Sequence, residues 1–309
     1  MATAPALSPA LSLSSPRRWR LPGTATEWFT GWFLAAWIGV VVLPLLIIST
    51  FSFFGMRQYQ IVYDPTLDTW ISLAETGRWV VVLRTIRFAV TVTFLEILVA
   101  FPFALWLAKG CRSHAVRACI ITLLTIPFFI DASSRIIVWR SILGTNGVIN
   151  NLLVGSGIVD KPLTWLLYSD FSVSFGMFGS YFPTAVFPIF LILSLIDDDL
   201  IKASSDLGGS RLQTLRFVIL PLAMPGIVGG IVFTFVPLMA AWIEPQLLGG
   251  GQVNLLGQSI QSALTNLNYP IAAALSTVVI GVLVLLLAVL IVSLRGRFDM
   301  SSLFQSLER

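Results

Sequence analysis

Charged residues are scarce in this chain of 309 residues. Asp, Glu, Lys and Arg make up 11% of the sequence, less than half of the roughly 25% that a soluble domain carries. The charges are also segregated, because residues 171–196, 217–243 and 245–294 contain none. Apolar stretches of about 18 residues or more are typical of membrane-spanning helices. The composition therefore excludes an ordinary soluble domain and predicts an integral membrane protein.

Histidine and cysteine are almost absent, which limits the chemistry open to the chain. The single histidine, His114, lies in a short basic sequence without a neighbouring carboxylate, and this argues against histidine-based catalysis. Cys111 and Cys119 have no metal-ligating residues at a useful spacing, so we expect free thiols and no metal site. None of the lysines follows a glycine, which excludes the G-x-x-x-x-G-K-[S/T] phosphate-binding loop. We expect no catalytic residue and no bound cofactor.

Six apolar runs are long enough to cross a lipid bilayer. They are too long and too uniformly apolar for the strands of a barrel, and a helix satisfies its own backbone polar groups in lipid. The sequence therefore predicts an all-α membrane protein with six transmembrane helices. The third helix could continue past Asp131 toward Trp139. We place the spans at residues 28–54, 88–108, 116–130, 173–196, 224–248 and 271–294.

The distribution of Lys and Arg predicts the orientation of these spans. With six spans both termini lie on one side, and that side holds 12 of the 19 basic residues. Basic loops favour the cytoplasm, and scattered groups beside apolar runs do not indicate a nucleic-acid surface. We therefore expect cytoplasmic tails at residues 1–27, which look disordered, and 296–309, with the membrane domain at 28–295.

A long segment between the third and fourth spans, residues 144–171, is predicted to lie outside. Its amphipathic pieces 148–154 and 163–168 are separated by Gly and Pro residues. This pattern predicts two small interfacial helices that cap the outer face.

The cytoplasmic loop at residues 197–222 carries the most informative pattern. Asp residues at its start can cap a helix over 200–207, and Gly208 and Gly209 can end that helix in a left-handed turn. A second helix is predicted from Ser210 to about residue 219, stopped by the prolines that follow. Such a helix, bend and helix is suited to insertion into a groove of a partner protein. On pattern alone, an ordinary solvated loop is an equal alternative.

The same loop resembles the EAA signature of permeases from ATP-binding cassette (ABC) importers. The resemblance rests on Gly208, Val218, Leu220 and Pro221 at the spacing of that signature. The signature's Glu-Ala-Ala falls on residues 202–204, where this chain has Lys, Ala and Ser. The resemblance implies that the loop docks onto an ATPase through Lys202, Ala203, Ser204, Asp206, Leu207, Gly208, Leu220 and Pro221.

Further motifs resemble the spermidine/putrescine-type branch of these permeases. Residues 134–153 are similar to its R-T-Y-A-W and N-G-L-I-N-N-L-L runs. The prolines of the fourth and fifth spans also match, and the resemblance covers the chain from about the second span to the sixth. The matching residues are Arg135, Trp139, Asn146, Gly147, Ile149, Asn150, Asn151, Pro183, Pro188, Pro237, Pro245, Leu247, Leu248, Gly249 and Gly250.

The resemblance implies the fold, the partners and a function. The fold would be that of a type I ABC importer permease in a bacterial inner membrane, with the cytoplasmic coupling helix in the loop described above. Two permeases, this chain and a related but different one, would form the path through the bilayer. An ATPase dimer would use ATP and Mg below them, and an extracytoplasmic binding protein would deliver a small polar solute, with polyamines the leading class.

Acidic residues inside the predicted spans are candidates for the substrate path, because ionisable groups are costly in a bilayer. Glu96, Asp131 and Glu244 qualify, and a carboxylate can replace water around a cationic amine. The alternatives are a helix-packing hydrogen bond for Glu96 and a position at the external interface for the other two. Trp139, Tyr181 and Trp242 complete the set of path candidates.

One departure from the branch concerns the fifth span. The branch places an acidic residue after a glycine where this chain has Ala240 and Ala241. Glu244 is expected to compensate, because residues three apart share one face of a helix.

A second function, from another class, is an autonomous channel or secondary transporter. Such carriers commonly contain inverted repeats and ion sites at the bilayer midplane. The sequence shows no convincing duplication and no buried carboxylate pair, so the importer permease is favoured. A membrane enzyme lacks candidate catalytic residues.

Overall fold

The computed structural model describes residues 23–57 and 60–295, and helices account for most of them. The chain divides into two units, residues 1–47 and 48–309. The described part of the first unit is the larger part of the first helix. In chain order the elements are α1 Gly23–Phe51, β1 Phe54–Arg57, β2 Gln60–Pro65, α2 Asp68–Glu75, α3 Arg78–Leu105, α4 His114–Thr125, α5 Ala132–Leu143, α6 Val148–Gly155, α7 Asp170–Leu195, α8 Asp198–Asp206, α9 Arg211–Thr214, α10 Leu220–Ala240, α11 Ile243–Leu248, α12 Leu256–Thr265 and α13 Tyr269–Arg295.

Five helical stretches are long and apolar enough to cross a bilayer unbroken, and each overlaps a predicted span. They are Trp28–Phe51, Arg78–Gly110, Asp170–Leu195, Arg211–Ala240 and Tyr269–Ser293. The five predictions are confirmed in position, with shifted ends. The predicted cytoplasmic tails, apart from residues 23–27 at the start of α1, lie outside the described residues.

The third predicted span is a bent pair instead of one straight helix. His114–Phe128 and Ala132–Gly155 meet at an angle of 102°. Pro127 lies in a short 3-10 turn after α4 and lacks an N–H group, while Asp131 starts α5 afresh as its N-cap. The pair counts as the sixth span when it is taken as one crossing.

The prediction that prolines stop the second cytoplasmic helix is wrong. The helix that starts at Arg211 continues through Pro221 and Pro225 to Ala240. A π-helical turn, Leu215–Ile219, precedes Pro221, and its hydrogen bonds skip one residue further than those of an α-helix. We infer that this shift of the backbone accommodates a proline, which has no N–H to donate.

Three long helices, α3, α7 and α10, pack against each other in the centre of the second unit. Close approach depends on small residues, as is common between membrane helices. A Cβ atom placed on Gly226 of α10 would lie 2.8 Å from the Pro188 carbonyl of α7, and one on Gly230 would lie 3.2 Å from that of Ala185. The glycines therefore set the distance between α7 and α10.

Between the first two spans the chain forms structure that the sequence did not predict. β1 and β2 pair as a short antiparallel hairpin, and α2 follows. α3 begins at Arg78, well before the predicted residue 88, and its first ten residues include three arginines, which interrupt the apolar run used to place the span. Of the two small helices expected in residues 144–171, α6 is confirmed and the other is only a 3-10 turn, Thr164–Leu166.

Candidate coupling segment and substrate path

The first helix of the cytoplasmic loop is fixed at both ends by its own sequence. The Asp197 carboxylate accepts a hydrogen bond from the backbone N–H of Asp199 at 3.0 Å and caps α8. Gly208 has a φ of +80°, which favours glycine. Gly209 donates its N–H to the Ser204 carbonyl at 2.9 Å, and a Cβ there would lie 2.7 Å from that oxygen. The predicted helix and glycine bend are confirmed.

The second helix is started and tied to the first by side chains. Ser210 and Gln213 form a reciprocal capping box at the start of α9. The hydroxyls of Ser204 and Thr214 lie 2.9 Å apart and join α8 to α9. Sequence reasoning missed Thr214, because its contact with Ser204 depends on how α8 and α9 pack.

The turn presents apolar side chains to its surroundings. Leu207 is 89% exposed, Leu212 72% and Phe217 69%. A groove of about 450 Å3 runs between the helices, with Leu200 and Phe217 in its lining. In a membrane protein, clustered exposed apolar groups of this kind face either lipid or a protein partner. We call residues 197–219 the coupling segment.

Two lysines pair with the aspartates of the coupling segment. Lys202 contacts Asp199 of its own helix, Nζ to Oδ1, at 2.7 Å, and this hydrogen bond raises the pKa of Lys202. Lys109, in a π-helical turn at the end of α3, contacts Asp198 at 2.6 Å and lowers the pKa of that carboxyl. Lys109 also donates to the Ile196 carbonyl. It therefore links the second span to the coupling segment, a contact that sequence reasoning missed.

Glu96 lies in the packed core of the second unit. Its side chain on α3 is fully buried, at 0% exposure, and neither carboxylate oxygen has a hydrogen-bond partner within the described part of the chain. The Thr93 hydroxyl, one turn earlier, and the Ser180 hydroxyl on α7 are also buried without a partner there. Among the described residues, no partner forms the helix-packing hydrogen bond considered for Glu96.

Glu244, Tyr181 and Arg135 come together from three helices. Glu244 is 2% exposed in the first turn of α11, and Tyr181 of α7 is close enough to interact with it. Arg135 of α5 is a charge neighbour of both, and Glu96 is a further charge neighbour of Tyr181. Arg135 also donates to the Ser180 carbonyl at 3.3 Å. Sequence reasoning noted Arg135 as a motif residue without placing it in the path.

Two arguments made for Glu244 do not match its surroundings. Its burial leaves no room for solvation by water, which was the alternative considered for it. The helical face expected to carry the compensation is also absent, because α10 ends at Ala240 and Ala241 is extended, so that Ala241 and Glu244 do not share a continuous helix. The compensation itself stays a prediction. Trp242 occupies the break and is 38% exposed.

Asp131 and Trp139 have local partners. The exposed Asp131 carboxylate accepts hydrogen bonds from the backbone N–H groups of Ser133 at 2.8 Å and Ser134 at 3.3 Å. These bonds cap α5. Trp139 packs edge-to-face against Phe175 with ring centroids 4.8 Å apart. The exposure of Asp131 agrees with the interfacial position considered for it.

Comparison with solved structures identifies the class of fold. The chain is similar to a bacterial ABC transporter involved in the import of the acidic polysaccharide alginate, with a TM-score of 0.61 and 18% identity, over 86% of this chain and 94% of the other. At this identity the likeness concerns the fold alone. It confirms the predicted importer permease fold.

The chain belongs to the family of binding-protein-dependent transport system inner membrane components, whose model matches residues 97–300. It is 31% identical over 258 residues to the spermidine/putrescine transport system permease protein PotB of Escherichia coli K12, over 82% of this chain and 93% of that protein. It is 30% identical over 278 residues to the inner membrane ABC transporter permease protein YdcU of the same strain, over 85% and 87%. The predicted family and branch are confirmed, and the chain is a multi-pass permease subunit.

Proposed function

We propose that this permease subunit belongs to an ATP-driven importer that carries a polyamine such as spermidine or putrescine. The observation that carries the proposal is the coupling segment, a rigid pair of helices with exposed apolar side chains between two spans. This arrangement offers a partner protein two features to bind, a groove and a protruding turn.

The partner expected at the coupling segment is an ATPase dimer. Leu207 protrudes at the glycine bend, and the groove beside it is bordered by α8 and the start of the fifth span. Movement of the ATPases would reach the bilayer through two routes, the helix that begins at Arg211 and the Lys109–Asp198 contact. ATP and Mg would be handled by the partner, and this chain would have no catalytic role.

We infer that both termini are cytoplasmic, on the same side as the coupling segment. The basic residues around Lys109 and in the coupling segment support this orientation, because they lie at one end of α3 and α7. The opposite ends would face the extracytoplasmic binding protein.

The path is expected to lie between this chain and a second, related permease. Side chains on such a path are exposed in the single chain, which suits Trp242. Asp131 is exposed as well, but its carboxylate caps α5. Glu96 and Glu244 are buried, so a substrate would reach them only if α3, α7 and α11 moved relative to one another. We infer that the contacts among Glu244, Tyr181 and Arg135 change during this movement.

A polyamine is the substrate class that the chemistry favours. The similarity to proteins named for spermidine and putrescine transport supports it, and so do acidic residues near aromatic ones. Amines are attracted both to carboxylates and to the faces of aromatic rings.

A pull-down of this chain in mild detergent from its native membrane tests the assignment of the coupling segment. We expect the unmodified chain to bring down an ATPase and a second permease, and Leu207→Asp to lose the ATPase because a charge replaces an apolar contact. The control is Leu152→Asp, which changes a leucine of similar kind, 67% exposed, on α6. Recovery of the unmodified chain alone under several gentle conditions would favour an autonomous transporter.

A further inference from the structure

A polar cavity of about 350 Å3 lies where α3 begins, between α12 and the start of α13. Its walls carry amides and hydroxyls from Asn254, Gln258, Ser262 and Asn268, and one cation, Arg78. No acidic side chain of the described residues is in its lining. Its volume falls within the roughly 300–1,000 Å3 of small-molecule sites. The cavity therefore offers a positive charge, without its counter-charge, to a small anionic group.

Two buried atoms of this cavity have no hydrogen-bond partner in the described residues. They are Nη1 of Arg78, a donor, and Oε1 of Gln258, an acceptor. Buried polar groups are nearly always paired, and an unpaired one is costly. A ligand that fits must therefore accept a hydrogen bond from Arg78 and donate one to Gln258. A phosphate diester with hydroxyl groups does both, because its phosphate oxygens accept and its hydroxyls donate.

The length of α3 places the cavity at the edge of the bilayer. A helix of 28 residues is about 42 Å long at 1.5 Å per residue. The hydrocarbon core of a bilayer is only about 30 Å thick, so both ends of α3 reach the layers of lipid headgroups. Lys109, just after the C-terminal end, contacts the coupling segment. Arg78, at the other end, therefore lies among the headgroups of the leaflet opposite the coupling segment.

Exposed aromatic and aliphatic side chains border the cavity at this level. Trp79 follows Arg78 on α3, and Tyr269 is the first residue of α13. Trp and Tyr are enriched where the headgroups meet the hydrocarbon core. Val80 and Leu83 are also exposed and continue the apolar surface of α3 away from the cavity. A lipid whose acyl chains lie on this surface would have its headgroup at the cavity.

The helix that forms one wall of the cavity is held firmly. The backbone N–H of Leu256 donates to the Thr85 hydroxyl of α3 at 2.8 Å. A Cβ on Gly257 would clash with the carbonyls of Ala240 and Ala241, so α12 packs closely on the end of α10. The polar side chains of α12 are thus presented by a fixed scaffold, which reduces the entropy cost of binding.

We propose that this cavity binds the headgroup of an anionic phospholipid that carries hydroxyl groups, such as phosphatidylglycerol, with the phosphate at Arg78 and a hydroxyl at Gln258. Basic pockets between transmembrane helices bind anionic headgroups in other membrane proteins. An ammonium headgroup fits less well, because its positive charge would enter a cavity that holds a cation and no acid. The bound lipid would join the start of α3 to α12 and α13. The inference goes beyond the proposed function and does not depend on which solute is carried.

The first test measures the Kd of phosphatidylglycerol by native mass spectrometry. The chain is purified in mild detergent with the subunits that accompany it, and the lipid is titrated in. Because a hydrogen bond to a charged group is lost, we expect Arg78→Gln to raise the Kd about tenfold to a hundredfold. Equal Kd values for the unmodified and Arg78→Gln proteins, or no binding by the unmodified protein, would overturn the proposal.

Arg87→Gln is the matched control for this test. Arg87 is exposed on the same helix and is not in the cavity lining. It lies about two and a half turns after Arg78, and therefore on the opposite side of α3. We expect this change to alter the Kd less than about twofold. A loss of affinity as large as that of Arg78→Gln would show that any arginine of α3 attracts the lipid, and would overturn the assignment to the cavity.

A second test uses the unmodified chain, so that misfolding of a variant cannot decide the result. Phosphatidylglycerol is compared with phosphatidylmethanol, which keeps the charged phosphate and lacks the hydroxyl donors. We expect phosphatidylglycerol to bind about twofold to tenfold more tightly, because it makes one more hydrogen bond, and Gln258→Leu to remove this preference. Equal binding of the two lipids, or tighter binding of phosphatidylethanolamine, would contradict the proposed contacts. Release of the bound lipid by millimolar inorganic phosphate would assign the cavity to free phosphate and overturn the proposal.

Discussion

The three acidic residues that stand out in the apolar sequence meet three different environments. Glu96 is buried without a hydrogen-bond partner in the described residues, Glu244 is buried beside Tyr181, and Asp131 is exposed as a helix cap. The sequence analysis did not predict the cap, because it considered a third helix that continues past Asp131, whereas in the structure a new helix starts there. The burial of the other two depends on neighbouring helices, which local sequence does not specify.

Two substitutions of Asp131 distinguish its role as a helix cap from a role in transport. Asparagine caps as well as aspartate, so we expect Asp131→Asn to leave polyamine uptake within about twofold of the unmodified level. Asp131→Ala removes the cap, and we expect a lower melting temperature of the purified transporter. Uptake and thermal unfolding are measured on both variants. A large loss of uptake with Asp131→Asn, at an unchanged melting temperature, would assign the charge to the path.

At the scale of single elements, the structures that are specified by residues close together in the sequence could be predicted. The capping aspartates and the two glycines of the coupling segment specify α8 and its end through contacts only a few residues apart. The continuation through Pro221 was not predictable, because a proline usually ends a helix and only the π-helical turn before it changes the outcome. The bend between α4 and α5 was likewise only partly anticipated.

The close packing of α7 and α10 predicts that a larger side chain at Gly226 lowers the stability of the transporter. Gly226 faces the Pro188 carbonyl and the Ile189 backbone, so a larger side chain must push the helices apart. We expect Gly226→Leu to lower the stability of the purified transporter by about 1–3 kcal/mol, measured by thermal or denaturant unfolding. The matched control is Gly281→Leu on α13, where a Cβ meets nothing within 4 Å. Similar losses in both variants would contradict the packing argument.

At the scale of the whole molecule, hydropathy fixed the number and approximate position of the spans because lipid demands apolar surface and internally paired backbone. Hydropathy does not predict the β1–β2 hairpin, and it does not predict which helices become neighbours. The Glu244–Tyr181–Arg135 cluster illustrates the limit, since its members come from α11, α7 and α5. Motif resemblance identified the family, but the cluster depends on tertiary packing.

Uptake into proteoliposomes tests the central claim most directly. Proteoliposomes are prepared with the complete transporter, which comprises this chain, its second permease and the ATPase. ATP is supplied on the side of the membrane that carries the ATPase, and labelled spermidine and the binding protein are supplied on the opposite side. We predict accumulation that requires ATP hydrolysis and the binding protein, and that stops when the ATPase is inactivated by substitution. Accumulation by this chain alone, without ATPase or ATP, would contradict the account and make it an autonomous transporter.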